Sequence, residues 1–342
     1  MADNVTIGGA QPSLNFTGSE ASVPASGTAT FSTYFVNTAS SVVYAGYGTI
    51  APAVASPNAS LIITANTVST VPGGYAAVLD SASGDTLTGG GVGTTYFLQN
   101  NGPTLGTVLN LTPGATTVYA LGADTINAGD AAATVDSGAP GATVAGGSAS
   151  LLFVGGDGAV SVFAGAGSST LYGGTGENVL IGGAGNNVLV GGQGTQGSVL
   201  VAGTGSTAAY AAGTGNTTLI GGSGNSQLFG VTGTGNELLS TNPNGAGGIV
   251  QMNLNNASDT VLGGGGASTV FGGQGFDIYA FIHGHAGGTT DIYGFKTTDT
   301  MIFAGYTGKP IAIEHVVNGS DVVVLTDGTT ITIEGYNHTI FK

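Results

Sequence analysis

The sequence contains no cysteine, no tryptophan and no arginine among its 342 residues. Its basic residues are Lys296, Lys309 and Lys342, so positions 1–295 carry no positively charged side chain. Because 18 acidic residues give a formal net charge of −15, nucleic acids and anionic membrane surfaces would be repelled. We therefore expect neither nucleic-acid binding nor membrane insertion, and the absence of cysteine excludes disulfides and thiol catalysis.

Long apolar segments are also missing from the sequence. No run approaches the roughly 18 residues of a membrane-spanning helix, and no segment keeps the 3.6-residue apolar period of an amphipathic helix. The first residues, MADNVTIGGAQPSLNF, have neither the basic region nor the apolar core of a cleavable signal peptide. We expect almost no helix, and we expect any export signal to lie elsewhere in the chain.

Glycine is abundant, with 66 residues, and hydrophobic residues make up 41% of the sequence. The glycines follow no strict three-residue period, which excludes a collagen helix. The hydrophobic content is too high for a disordered glycine-serine linker. The chain can therefore bury a core, and that core is predicted to be built around many tight turns.

A glycine-rich motif recurs about every nine residues between positions 155 and 280, for example GGTGENVLI at 173–181 and GGAGNNVLV at 182–190. Each repeat joins a glycine-rich turn to a short strand whose middle apolar residue faces inward. We expect the glycines to occupy positive-φ corners and the stacked strands to bury one apolar column. The predicted inward residues are Leu180, Leu189, Leu219, Leu228 and Val270.

The predicted fold is all-β, a parallel β-roll or β-solenoid with an N-terminal strand region and a C-terminal β cap. We place the N-terminal strand region at 1–60, the solenoid at 61–280 and the cap at 281–342. Within the cap, VVVLTDGTTITIEGY at 322–336 predicts a hairpin that turns at Asp327-Gly328.

These repeats resemble the RTX, or hemolysin-type calcium-binding, family, whose consensus is G-G-x-G-x-D-x-U-x with U a large apolar residue. The resemblance begins at about residue 150, and the segment 275–303 is similar to the closing segment of such proteins. It implies a parallel β-roll, Ca²⁺ as the cofactor and folding outside the cell. It also implies type I secretion machinery as a partner, with an uncleaved signal in the C-terminal cap.

The family's aspartate position departs from the consensus in this chain. It holds the neutral residues Asn178, Asn187, Thr217, Ser226 and Ser268. Because Ca²⁺ favours anionic oxygens, we expect few calcium sites and not a full ladder. The candidate metal ligands are Asp277, Asp291 and Asp299, with Asn178 and Asn187 as weaker ones. The alternative is that the asparagines and serines only hydrogen-bond the turn backbone.

The sequence offers no catalytic constellation and no other cofactor-binding motif. His283 and His285 could share one face of a strand and bind a transition metal, but no HExxH motif or neighbouring acid supports them, so a polar turn is favoured. No G-x-S-x-G nucleophile elbow occurs. We therefore expect no enzymatic activity.

We expect a secreted protein, extracellular or at the cell surface, that self-assembles as a homo-oligomer or filament. Such a protein would build a surface layer, filament or biofilm matrix, with assembly dependent on Ca²⁺. One alternative is an adhesive solenoid that binds glycan, such as cell-surface polysaccharide, or ice. A secreted hydrolase is the third hypothesis.

Overall fold

The structure, a computed structural model, describes residues 2–6, 13–17, 35–37, 42–45, 59–63, 68–99, 105–138, 141–230, 235–241, 248–284 and 288–341. Within these residues the prediction of an all-β parallel solenoid without helices is confirmed. No helix in the described part of the chain has the length and apolarity needed to cross a membrane. The chain divides into two compact units, Met1–Gly158 and Ala159–Lys342, and the predicted boundaries at residues 60 and 280 remain a prediction.

The first unit contains short strands, which alternate between two sheets from β5 onward, while β1 and β2 form a separate pair. They are β1 (Ala2–Thr6), β2 (Ser13–Thr17), β3 (Phe35–Asn37), β4 (Val42–Ala45), β5 (Ala59–Ile63), β6 (Val68–Val71), β7 (Tyr75–Asp80), β8 (Thr86–Gly89), β9 (Thr94–Leu98), β10 (Val108–Leu111), β11 (Ala115–Ala120), β12 (Thr125–Asn127), β13 (Ala132–Ser137), β14 (Thr143–Ala145) and β15 (Leu151–Val154). In one sheet, the even-numbered strands from β6 to β14 pair in parallel. In the other, β4, β5 and the odd-numbered strands from β7 to β15 pair in parallel. The pairs β1–β2 and β3–β4 are antiparallel.

The second unit repeats the arrangement with greater regularity. Its strands are β16 (Val160–Phe163), β17 (Ser169–Tyr172), β18 (Asn178–Ile181), β19 (Asn187–Val190), β20 (Ser198–Val201), β21 (Thr207–Tyr210), β22 (Thr218–Ile220), β23 (Ser226–Phe229), β24 (Leu238–Ser240), β25 (Ile249–Asn253), β26 (Thr260–Gly263), β27 (Ala267–Phe271), β28 (Ile278–Ile282), β29 (Thr289–Tyr293), β30 (Thr300–Ala304), β31 (Ile311–Val317), β32 (Ser320–Leu325) and β33 (Thr330–Ile333). We call the even-numbered strands from β16 to β30 the even sheet of this unit. The odd-numbered strands from β17 to β29 are its odd sheet.

Each strand from β16 to β29 contributes one or two buried apolar side chains to the core. In the even sheet, parallel register aligns Leu180 with Leu200 and Leu200 with Leu219. The matching column of the odd sheet contains Leu189 and Leu228. All five predicted inward residues are buried to 0% exposure, so the predicted strand frame is confirmed. The alternation of buried and outward side chains follows from the two-residue period of a strand.

The turns of the second unit need glycine for a different physical reason from the one predicted. Most of them do not have positive φ angles, so the prediction of positive-φ corners is wrong for most repeat glycines. Close approach between successive coils requires them instead. A Cβ atom on Gly183 would lie 1.4 Å from the carbonyl oxygen of Gly165, and one on Gly203 would lie 2.0 Å from that of Gly183. Any side chain at these positions would force neighbouring coils apart.

The C-terminal strands form the predicted hairpin. β32 pairs antiparallel with β33, and the connecting turn contains Asp327 and Gly328, whose φ angle is 88°. β31 adds a further antiparallel strand, and β33 joins the odd sheet beside β29 in parallel. The hairpin therefore covers an edge of the odd sheet that would otherwise present unpaired backbone groups.

Truncation of an inward leucine should destabilise the protein far more than truncation of its outward neighbour. We expect Leu189→Ala to lower the free energy of unfolding by about 2 to 4 kcal/mol, because it leaves a cavity in the apolar column. Val188→Ala, on the outer face of the same strand, should cost about 1 kcal/mol or less. Urea denaturation followed by circular dichroism measures both, and equal losses would contradict the inward column.

Candidate functional site

Two rows of buried residues begin the strands of the second unit, at the position of the family's aspartate. The even row lies at the start of the even strands and consists of Asn178, Ser198, Thr217, Glu237, Asp259, Asp277 and Asp299. The odd row consists of Ser169, Asn187, Thr207, Ser226, Val250, Ser268 and Thr290. Every carboxylate of these rows stands in the even row, so the two sheets present turns of different chemistry.

The asparagines of both rows use their side-chain amides to satisfy the turn that precedes their own strand. Asn178 Nδ2 donates to the carbonyl oxygens of Gly176 at 2.6 Å and Gly174 at 3.2 Å, while Oδ1 accepts from the Gly174 backbone N–H at 3.3 Å. Asn187 Nδ2 donates to Gly185 O at 2.8 Å and Gly183 O at 3.5 Å. The alternative prediction, hydrogen bonding to turn backbone, therefore describes both asparagines.

The acids of the even row connect each coil to the preceding one through backbone N–H groups. Asp259 accepts from the N–H of Glu237 at 2.9 Å and from that of Asn255 in its own turn at 2.9 Å. Asp277 accepts in the same way from Asp259 at 3.2 Å and from Gly273 at 3.3 Å. Charge-assisted bonds of this kind are stronger than neutral ones, so each carboxylate stabilises the stacking of two coils.

The last two acids of the even row have a positive partner. The Lys296 ammonium lies 3.3 Å from Asp277 Oδ2 and 3.2 Å from Asp299 Oδ1, and both carboxylate side chains are 0% exposed. The same nitrogen donates to the carbonyl oxygen of Gly273 at 2.7 Å. Two carboxylates and a turn carbonyl therefore surround one cation supplied by the chain itself.

Among the described residues no basic side chain forms an ion pair with Glu237 or Asp259, and their environment disfavours the charged form. Burial, with the negative charge of Asp259 nearby, raises the pKa of Glu237 to about 7. Burial and the charge of Asp277 raise the pKa of Asp259 to about 6, although hydrogen bonds from Glu237 and Asn255 oppose this shift. A bound cation beside these two carboxylates would favour their charged forms.

The first unit contains buried acids of its own. Asp124 accepts from the backbone N–H groups of Thr107 at 2.7 Å and Gly122 at 3.1 Å, which repeats the coil-to-coil bridge of the even row. Asp80 is fully buried and accepts from Thr107 Oγ1 at 2.6 Å. Burial, together with the hydrogen bond and charge of Asp85, raises the pKa of Asp80 well above its ordinary range.

The structure brings some of the candidate metal ligands together and separates others. Asp277 and Asp299 occupy neighbouring positions of the even row. Asp291 lies on the outer side of β29 in the odd sheet, between Thr269 and Thr332, so it does not join them. Asn178 belongs to the even row and Asn187 to the odd row.

Of the two histidines in the H-x-H pair, only His283 belongs to the described residues. His283 is exposed and packs edge-on against the ring of Tyr306, with 5.1 Å between ring centroids. His285 lies outside the described residues. No transition-metal site is supported at His283 by these contacts.

Three residues at the acidic end of the even row were not predicted from the sequence: the row members Glu237 and Asp259, and their neighbour Lys296. Glu237 stands in the consensus register of G-T-G-N-E at 233–237 and could have been found as a substitute for the aspartate. Asp259 lies 18 residues, or two repeats, before Asp277, although its turn has lost its glycines. Lys296 precedes Asp299 by three residues, which is too weak a signal by itself.

The fold and its rows define a class of glycine-rich parallel β-solenoids in which buried polar residues at strand starts tie the turns together. Within that class, the chain carries the RTX calcium-binding nonapeptide repeat in four copies, at residues 152–176, 163–195, 212–240 and 255–279. These repeats indicate Ca²⁺ binding, and they are typical of secreted proteins. No curated protein matches the chain.

The donor groups of the rows decide which turns fit a calcium ion. The Asn178 and Asn187 turns do not fit, because amide N–H groups already point at the carbonyl oxygens that an ion would need. Glu237 and Asp259 fit by donor class, since Ca²⁺ takes carboxylate and carbonyl oxygens. Around these residues the described chain has no cluster of three or more acids, histidines or cysteines arranged for a metal. Any ion at Glu237 and Asp259 would therefore need backbone carbonyls and water as further ligands.

Converting the two asparagines to aspartates should make stability depend on calcium. In Asn178→Asp/Asn187→Asp, each carboxylate faces turn carbonyls without an N–H to donate, which costs about 1 to 3 kcal/mol per site. Thermal melts in EGTA should show a lower Tm than wild type, and Ca²⁺ should restore it by binding the folded state. The matched control is Asn186→Asp, an exposed neighbour, which should leave both melts unchanged. A double variant whose Tm responds to Ca²⁺ no more strongly than that of wild type would contradict the assignment of these turns.

The raised pKa of Asp80 predicts that the protein loses stability as the pH rises. The folded state holds this proton more tightly than the unfolded state, so stability is full at acidic pH and declines as pH rises through the raised pKa. In Ca²⁺-free buffer the Tm should therefore fall between mildly acidic and alkaline pH. Asp80→Asn should flatten part of this decline, whereas Asp136→Asn, at an exposed position, should not. A Tm that rises with pH in wild type would contradict the argument.

Proposed function

We propose that this protein is a secreted extracellular structural protein that assembles into a surface layer, filament or matrix through the outer face of its even sheet. The observation that carries the proposal is the aliphatic character of that face. We call the outer side chains of the even strands the even face, and its apolar members are Phe163, Val179, Ile181, Val199, Val201, Ile220, Leu238, Leu262, Ile278, Ile282 and Ile302.

No charged side chain interrupts the even face between β16 and β30. Its remaining outward positions hold serine, threonine and alanine, such as Ser161, Thr218 and Ala280. Parallel sheets usually have both faces covered, and exposed apolar patches mark interaction surfaces. A flat aliphatic sheet surface without charge is suited to packing against an identical surface of another copy.

The dimensions of the even face favour an array over an isolated dimer. Strands lie about 4.8 Å apart and rise about 3.3 Å per residue, so the face measures about 34 Å by 13 Å, or about 440 Å². A stable pairwise interface buries about 800 Å² on each partner. One such contact would therefore be weak, and stable association would need each copy to contact several others.

The buried acids contribute to the same proposal. Four of the 18 acidic residues stand in the even row, where Asp277 and Asp299 share the positive charge of Lys296. Calcium bound at the remaining row acids would make the net charge of −15 less negative. Lower net charge weakens the repulsion between copies, so assembly is expected to strengthen with Ca²⁺.

An adhesive role is the second hypothesis, and the aromatic residues of the odd sheet are its basis. Tyr210 and Phe229 stack at 4.7 Å between ring centroids, and Phe271 and Tyr293 stack at 5.2 Å. Stacking along the coils turns the ring faces toward each other and only the edges outward. Sugar rings pack on aromatic faces, so these pairs favour a structural role, and a glycan array would test the adhesive alternative.

Lysine substitutions on the two faces of neighbouring strands test the proposed assembly. Val179→Lys/Ile181→Lys places two charges on the even face, and Val188→Lys/Val190→Lys places them at the matching positions of β19 in the odd sheet. Electron microscopy and light scattering with and without Ca²⁺ should show assemblies for wild type and the odd-sheet variant. The even-face variant should remain monomeric while keeping its β-sheet circular dichroism.

Two results would reject this assembly mode. Wild-type protein that stays monodisperse at high concentration with Ca²⁺ would reject self-assembly itself. Equal assembly by both lysine variants would reject the even face as the contact surface and would direct attention to the ends of the coil stack.

A further inference from the structure

We propose that Lys296 is a built-in replacement for a calcium ion: its ammonium fills the turn between Asp277 and Asp299 and keeps Ca²⁺ out of this last pair of row acids. The inference is independent of the assembly proposed above. It concerns which of the chain's RTX turns take the ion and which are completed by the protein.

The ligand set around the ammonium is the first support. Lys296 Nζ contacts one oxygen from each of two carboxylates, at 3.3 and 3.2 Å, and the carbonyl oxygen of Gly273 at 2.7 Å. Carboxylate and backbone carbonyl oxygens are the donors that Ca²⁺ selects. Two cations cannot share these oxygens, because their mutual repulsion in a buried site would be large.

The position of the carbonyl group is the second support. Gly273 is the second glycine of GGQGFD, and Gly174 is the second glycine of GGTGEN in an earlier repeat of the same sheet. The Gly174 carbonyl accepts from the amide of Asn178, and the Gly273 carbonyl accepts from Lys296. Equivalent turn oxygens are therefore given to nitrogen donors of the chain at two places, by two different side chains.

The rarity of basic residues in this chain is the third support for the proposal. Lys296 is the first basic residue of the sequence, and the next, Lys309, is exposed and forms no ion pair among those found in the described residues. The Lys296 side chain itself is only 28% exposed. One ammonium group is thus shared by the last two acids of the even row, whereas Glu237 and Asp259 form no ion pair among those found in the described residues.

Lys296→Met tests the proposal by opening the site. We expect this variant to bind one more Ca²⁺ per chain than wild type, counted by native mass spectrometry. Its Tm in EGTA should be lower than that of wild type, and Ca²⁺ should restore it. Lys296→Arg should behave as wild type because it keeps the cation. The matched control is Lys309→Met, which should change neither the ion count nor the calcium dependence of the melt.

A local readout distinguishes this turn from other calcium sites in the chain. Tyr279 lies near Asp277 and Asp299 and also near Asp259, so Tb³⁺ bound at either place should emit on tyrosine excitation. The emission that Lys296→Met adds should disappear in Lys296→Met/Tyr279→Phe. If the lysine variant cannot be obtained folded, wild type still decides: we expect Asp277→Asn/Asp299→Asn to leave its Tb³⁺ emission unchanged.

Several outcomes would overturn the proposal. Equal calcium counts in wild type and Lys296→Met would do so, whatever their value. Tyr279-dependent Tb³⁺ emission from wild type that Ca²⁺ displaces and that Asp277→Asn/Asp299→Asn abolishes would show that the ion enters beside Lys296. Loss of one bound Ca²⁺ from wild type on Asp277→Asn/Asp299→Asn would show that the acids already hold it.

Discussion

The close stacking of one glycine turn on the next governs the rest of this structure. Backbone atoms of successive coils approach so tightly that a Cβ on Gly183 or Gly203 would overlap the carbonyl oxygen of the coil before it. Turns built this way carry few side chains with which to satisfy their own N–H and C=O groups. Because buried backbone polar groups need partners, that task falls to the residue that begins each strand, and its chemistry decides what else the turn requires.

An asparagine and an aspartate solve this problem differently. Asn178 accepts from a turn N–H and donates to two turn carbonyls, so one neutral side chain completes the turn. Asp277 accepts from two N–H groups but cannot donate to the turn carbonyls. A cation is therefore needed to contact those carbonyls and to balance the charge of the carboxylate. The cation is an ammonium at Lys296 and a calcium ion in the family's repeat. Replacement of aspartate by asparagine along the chain thus removes the need for the ion while it preserves the fold.

The strand frame was predictable from the sequence, and the distribution of acids was not. Leu180 and Leu189 were identified as inward because a short strand between glycine turns allows only one buried middle position. The sequence does not show which residues one coil brings together, because the coil is 18 residues long between Asp259 and Asp277 and 22 between Asp277 and Asp299, although all three acids stand in the even row. Lys296 was missed for a related reason, since its partner Asp277 is brought near only by that longer coil.

The arrangement also separates the chemistry of ions from the chemistry of association. Row residues point inward at strand starts, whereas the aliphatic residues of the even face point outward from the same strands, as in Asn178 and Val179. Because alternate residues of a strand serve opposite faces, a change in a row residue leaves the outer surface intact. A repeat can therefore exchange aspartate for asparagine without altering the surface available to another copy. This independence explains how a solenoid with few ionic turns can keep a continuous, uncharged outer sheet face.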